Sequence, residues 1–163
     1  MNTLTDFVDF PIEPFLRDAA WGILGLLFVL IFHGSAINHV FMRFEILTRQ
    51  NLAASQYNRV FFHFYAAFVF IALIHILEIL IWSILIVSLN LISDPVRAIL
   101  FAGSCYTTVG FESDFLPDGW KTLAFFISFT GLFSLAWTTS IMIGMTTAYK
   151  KAWNLKYGEV DVH

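Results

Sequence analysis

Two groups of residues in this sequence have types and spacing that could do chemistry. The first is the polar run Thr107-Thr108-Val109-Gly110, set between an apolar stretch and the acidic residues Glu112 and Asp114. Non-helical backbone of this kind survives at membrane depth only when it is buried in protein or lines a watered path. The second is Glu78, with His75 one turn before it and Trp82 one turn after, inside a long stretch otherwise free of charge. An intramembrane carboxylate is costly and marks a function by default. A proton or pH-sensing role and simple snorkelling to the outer interface both fit it, and Trp82 favours a nearby interface. His33, His39 and His63 raise a haem or metal reading. His33 and His39 point in different directions at 100° per residue, and neither has a Cys or acidic partner one turn away. Satisfied interfacial or buried histidines are the better expectation.

These residues need a membrane to position them. Of 163 residues, 58% are hydrophobic and 13% charged, about half the charge of an ordinary globular domain. A chain of this kind is a small membrane protein and leaves no room for a soluble catalytic domain; no enzyme activity is expected. The net charge of −3 argues against a nucleic-acid partner, and Cys105 alone makes no internal disulfide. Ala19 to Met42, Val60 to Ser93 and Thr122 to Tyr149 each lack Asp, Glu, Lys and Arg over a bilayer's length, Glu78 excepted. No signal-peptide order precedes the first of these, because Asp6, Asp9 and Glu13 come before any apolar run. The 19 Phe residues read as packing and lipid-facing surface.

Arg43, Arg49 and Arg59 lie between the first two spans, and Lys150, Lys151 and Lys156 follow the third. The opposite side has only Arg17, Arg97 and Lys121. The positive-inside rule therefore puts the first loop and the C-terminus in the cytoplasm of a multi-pass protein of the cell membrane, with the N-terminus outside. Asp6, Asp9, Glu13, Asp18, Asp94, Glu112, Asp114 and Asp118 then make the outer face negative and attractive to cations. The expected organisation is an extracytoplasmic segment 1–18, a transmembrane helix 19–42, a cytoplasmic loop 43–59, a module 60–148, and a cytoplasmic tail 149–163.

Within the module, Asp94 is a good N-cap and Pro95 suits the first helical position. A helix from about Pro95 to Tyr106 is roughly 18 Å long, too short to cross and too apolar for water. Both neighbouring spans need their ends outside, so this helix should dip in from the outer face and return. Tyr106-Thr107-Thr108-Val109-Gly110-Phe111 resembles the selectivity-filter signature of potassium channels, with Phe where Tyr is usual. Leu116-Pro117 and Trp120 after it, and the helix carrying Gly131, extend the resemblance. His75-x-x-Glu78-x-x-x-Trp82 and the run from Gly131 to Ser140 are also similar to small bacterial proteins classed with the ion-channel pore family. The match covers about residues 60 to 148 and omits the first span.

The resemblance implies an all-α membrane protein with three transmembrane helices, a re-entrant pore helix and a filter loop, assembled as a homotetramer in the lipid bilayer. It implies a filter of Thr107, Thr108, Val109, Gly110 and Phe111, with K+ held at the carbonyls of Thr108, Val109, Gly110 and Phe111. Glu112 and Asp114 would form the outer mouth, and Glu78 and Trp82 would support the filter. Gly131 would be a gating hinge or a close helix crossing. Ser128, Ser134, Thr138 and Thr139 would line a wet cavity or bond back to their own helix.

The family pattern continues Gly-Tyr-Gly-Asp, whereas Glu112 stands here for the second glycine and Ser113 for the aspartate. A ring of Glu112 carboxylates would weaken potassium selectivity or bind divalent cations. The expected function is a passive cation channel for K+ or another monovalent cation, with no resident cofactor. The alternative is a non-conducting, channel-derived subunit with a structural or regulatory role; a haem- or quinone-binding electron-transfer subunit is the remote third. The first span either flanks the pore or docks another membrane protein. No helix has arginine at every third position, which excludes a voltage sensor of the usual kind, and the 14 residues after Tyr149 are too few for a ligand-binding domain. The topology is tested with a Gln50→Cys variant in a Cys105→Ser background: an impermeant maleimide should label it only after the cytoplasmic side is opened.

Overall fold

A computed structural model describes residues 12–110 and 115–158. Four helices follow one another in the order α1 (Ile12–Ala53), α2 (Tyr57–Ser88), α3 (Pro95–Tyr106) and α4 (Leu123–Tyr157). No strand occurs among the described residues. Three of the helices, α1, α2 and α4, are long and apolar enough to cross a membrane. Their outward side chains agree with that solvent. Ile31, Phe62, Ile84 and Ile143 are each about two-thirds exposed, an arrangement that lipid rewards and water penalises. The chain is a multi-pass membrane protein.

The helices run past the apolar stretches that mark them in the sequence. α1 has 42 residues, roughly 63 Å at 1.5 Å per residue, about twice a hydrocarbon core. It continues through Arg43 to Ala53 because nothing there breaks it, and Arg49 pairs with Glu45 one turn back at 2.6 Å. The segment expected as a loop over 43–59 is thus mostly helix, with a connection of only Ala54 to Gln56. α4 likewise carries the expected tail out to Tyr157.

Helix ends are closed by the backbone itself. Ser55 (φ 55°) and Asn90 (φ 55°) adopt the left-handed conformation just past α1 and α2. The amide of Gln56 then reaches the Asn51 carbonyl at 2.8 Å, and that of Leu91 reaches Ile86 at 3.1 Å. These six-to-one bonds satisfy carbonyls that a helix end otherwise leaves open. Asp94 caps α3 as expected, accepting from the Val96 N–H at 2.9 Å, with Pro95 at the first helical position.

The chain divides into two compact units, each taking segments of α1, α2 and α4. Among the described residues, the first comprises 12–30, 79–110 and 115–132 and contains α3. Ala98, Phe101, Ala102 and Cys105 give α3 one apolar face, which packs with Trp82, Ile86, Leu123 and Ile127. Asp18 of α1 holds the start of α4 here: Thr122 donates both its N–H (2.8 Å) and its hydroxyl (2.5 Å) to Asp18 Oδ2. Asp18 is 1% exposed. It therefore leaves the negative outer face expected for it and accepts at the start of α4, where a helix leaves its first N–H groups without partners. Arg17 beside it lies 5.0 Å over the Trp120 ring. The second unit comprises the described residues 31–78 and 133–158 and centres on Ile37, Phe44, Ala67, Ile71 and Met145.

Asp18→Ala removes the acceptor and leaves the half-buried Thr122 donors without it. It should lower stability by about 1–3 kcal/mol, read as a fall in thermal unfolding midpoint of the full chain in detergent.

Candidate functional site

The loop after α3 is built by the helix end. Thr107 caps α3, and Thr108 follows it with φ 59°. The Thr108 amide donates to Cys105 at 3.0 Å and the Val109 amide to Ser104 at 3.0 Å, the same closure that ends α1 and α2. Thr107 donates to Gly103 at 3.0 Å, and Gly110, with φ 78°, donates to Ser104 at 3.3 Å. Four consecutive N–H groups thus turn back onto one helix end. Their carbonyls accept no backbone hydrogen bond from the described residues.

Burial changes sharply at the same place. Phe101, Ala102, Ser104, Cys105 and Tyr106 are buried, whereas Thr107, Thr108, Val109 and Gly110 are all exposed, Val109 by 77%. Serine and asparagine tolerate the left-handed region moderately well, but a β-branched residue there is strained by about 1–3 kcal/mol. Glycine is absent from this cap even though the rest of the closure is regular. Phe101, Cys105, Thr108, Gly110, Leu116 and Phe125 help to line a cavity of about 390 Å³ beside the loop.

Gly131 explains how α4 approaches. A Cβ there would collide with the Tyr106 carbonyl, so the helices cross where only hydrogen fits. That close crossing by itself accounts for the glycine. Trp82 is 1% exposed and packs over Gly25, where a side chain would meet its ring. Its indole N–H has no acceptor among the described residues. Ser128 and Thr139 bond back to the carbonyls of Ala124 (2.9 Å) and Leu135 (2.8 Å), the ordinary helical outcome for such residues. Phe111, Glu112 and Asp114, the outer part of the expected filter and its mouth, lie outside the described residues.

Glu78 has a partner that local spacing does not show. His33 Nδ1 lies 2.6 Å from its Oε1, and both side chains are fully buried in the second unit. His75 stands beside them, its ring 5.4 Å from that of His33 and its Nε2 3.0 Å from the Thr138 hydroxyl. The Trp137 ring edges onto His33 at 5.8 Å. His33 and Glu78 stand about equally far from the Ala54–Gln56 connection, which only the structure locates. The one signal in the sequence is that an intramembrane carboxylate requires a partner.

Scans of family models, of curated proteins and of solved structures find no match to this chain. The geometry of its residues is therefore the basis for any functional reading.

Thr108→Gly tests the strain in the loop. Glycine occupies the left-handed region without penalty, so the variant should be more stable by about 1 kcal/mol, measured by thermal unfolding. An unchanged or lowered midpoint would show that the Thr108 side chain offsets its own backbone cost.

Proposed function

We propose that this chain is the subunit of a homotetrameric, passive cation channel of the cell membrane, conducting K+ or another monovalent cation. One observation carries the reading: the amides of Thr107, Thr108, Val109 and Gly110 are spent on the α3 C-terminus, so the carbonyls of these exposed residues are what the loop has left for a ligand. Rings of such carbonyls replace the hydration shell of a cation. The C-terminal end of α3 adds the negative end of its dipole beside them.

One chain supplies one loop, and a closed ring needs copies related by rotation. In the proposed tetramer the carbonyls of Thr108, Val109, Gly110 and Phe111 face the axis. Glu112 and Asp114 form an acidic outer mouth, with the N-terminus outside and the C-terminus cytoplasmic. Gly110 keeps the loop's backbone free to hold φ 78°. The alternative that competes is a non-conducting subunit, and the same experiment separates the two.

Liposomes containing the purified full chain should pass K+, and Gly110→Val should abolish the flux. In mixed sodium and potassium, Glu112→Gly should shift the reversal potential toward that of potassium. Wild type and Gly110→Val equally inert across pH, voltage and divalent concentration would overturn the channel reading. Purification with other chains, instead of as a four-fold assembly, would then favour the non-conducting subunit.

A further inference from the structure

The cluster in the second unit has no role in ion passage as proposed, and its chemistry is specific. His33, His75 and Glu78 offer two imidazoles and a carboxylate whose ligand atoms lie within 4.8 Å of one another. His33 and Glu78 are fully buried and His75 partly so. The decisive contact is His33 Nδ1, 2.6 Å from Glu78 Oε1, where an ion could take the place of the shared proton. With that proton displaced, the ring nitrogen and the carboxylate oxygen both turn lone pairs to one point. A buried carboxylate beside two imidazoles carries a desolvation cost that a cation would offset.

The surroundings resemble the supporting shell of a metal-bound imidazole. Such a ligand almost always has its second ring nitrogen held by an oxygen partner, which fixes the ring's orientation. His75 has the Thr138 hydroxyl 3.0 Å from Nε2 in this way, which leaves its Nδ1 for an ion. The Ser134 hydroxyl, one turn before Thr138 on α4, is buried with no partner among the described residues.

We propose that His33, His75 and Glu78 form a binding site for a divalent transition-metal ion of the zinc class, clasping α1 to α2. Two nitrogens and one carboxylate oxygen suit Zn²⁺, which keeps a fourth position for water or a hydroxyl. Mg²⁺ and Ca²⁺ demand more oxygen donors than the cluster has. A tetrahedral zinc shell sets its donors about 3.3 Å apart, so rotamer adjustments of the order of 1 Å close the cluster on an ion. The ion would balance the carboxylate in a region where unpaired charge is expensive.

The site stands apart from the channel reading, because its test measures binding and not conduction. The full chain, purified in detergent and stripped with a chelator, is titrated with Co²⁺ and then with Zn²⁺ in competition. One ion per chain is expected, with the intense visible absorption of four-coordinate cobalt lost on adding zinc. His33→Ala and Glu78→Gln should each weaken binding about 10- to 100-fold, while His39→Ala and His63→Ala leave it unchanged. Failure of the wild type to saturate at one ion per chain, or undiminished binding in His33→Ala, overturns the proposal. Should the variants not fold, the wild-type spectrum decides alone: only the weak band of hexaaqua cobalt would mean that water, and no metal, fills the cluster.

Discussion

Hydrocarbon offers no hydrogen-bond partner to a stranded polar group, and most of this structure follows from that constraint. Each N–H and C=O within the spans must be satisfied by the chain itself, which makes α1, α2 and α4 continuous helices. At their ends the chain turns sharply into the left-handed region and returns its amides to the last carbonyls. Hydroxyl groups obey the same constraint: Ser83, Ser128, Thr130 and Thr139 all bond to a carbonyl one turn back. Asp18 Oδ2 meets it across helices by accepting from Thr122 at the start of α4, while its Oδ1 has no hydrogen-bond partner among the described residues.

Against that background, the unsatisfied groups are the informative ones. The carbonyls of the Thr107 to Gly110 loop accept no backbone hydrogen bond from the described residues, while each of the loop's amides is engaged. The backbone strain at Thr108 is held in place by four amide bonds that over-determine the turn. His33 Nε2 and the Ser134 hydroxyl are stranded in another way, buried inside the second unit.

Much of the fold was legible because membrane helices announce themselves by composition. The Asp94-Pro95 start and the Tyr106 end of α3 match expectation because capping chemistry is local. Helix length beyond the lipid was not legible. An apolar run marks where hydrocarbon begins and ends, while helix continuation past Met42 and Tyr149 depends on propensity and pairs such as Glu45 with Arg49. Spacing alone gives no hint that Gly131 lies against the Tyr106 carbonyl, because that contact joins two helices. Asp18 looked like one more exterior acid, since no local pattern tells a surface carboxylate from one that caps a helix far along the chain.

The sequence by itself determined the solvent, the three long helices, the short capped helix and the identity of the loop that follows it. These are properties of composition and of contacts within a few residues, so one-dimensional order suffices for them. Only the tertiary structure decided what Glu78 meets. Its neighbours by spacing are His75 and Trp82, yet its bond at 2.6 Å is to His33 on another helix. That pairing depends on how far α1 and α2 extend from their shared turn and on which faces they present. Side chains distant in sequence meet only once the helices have packed.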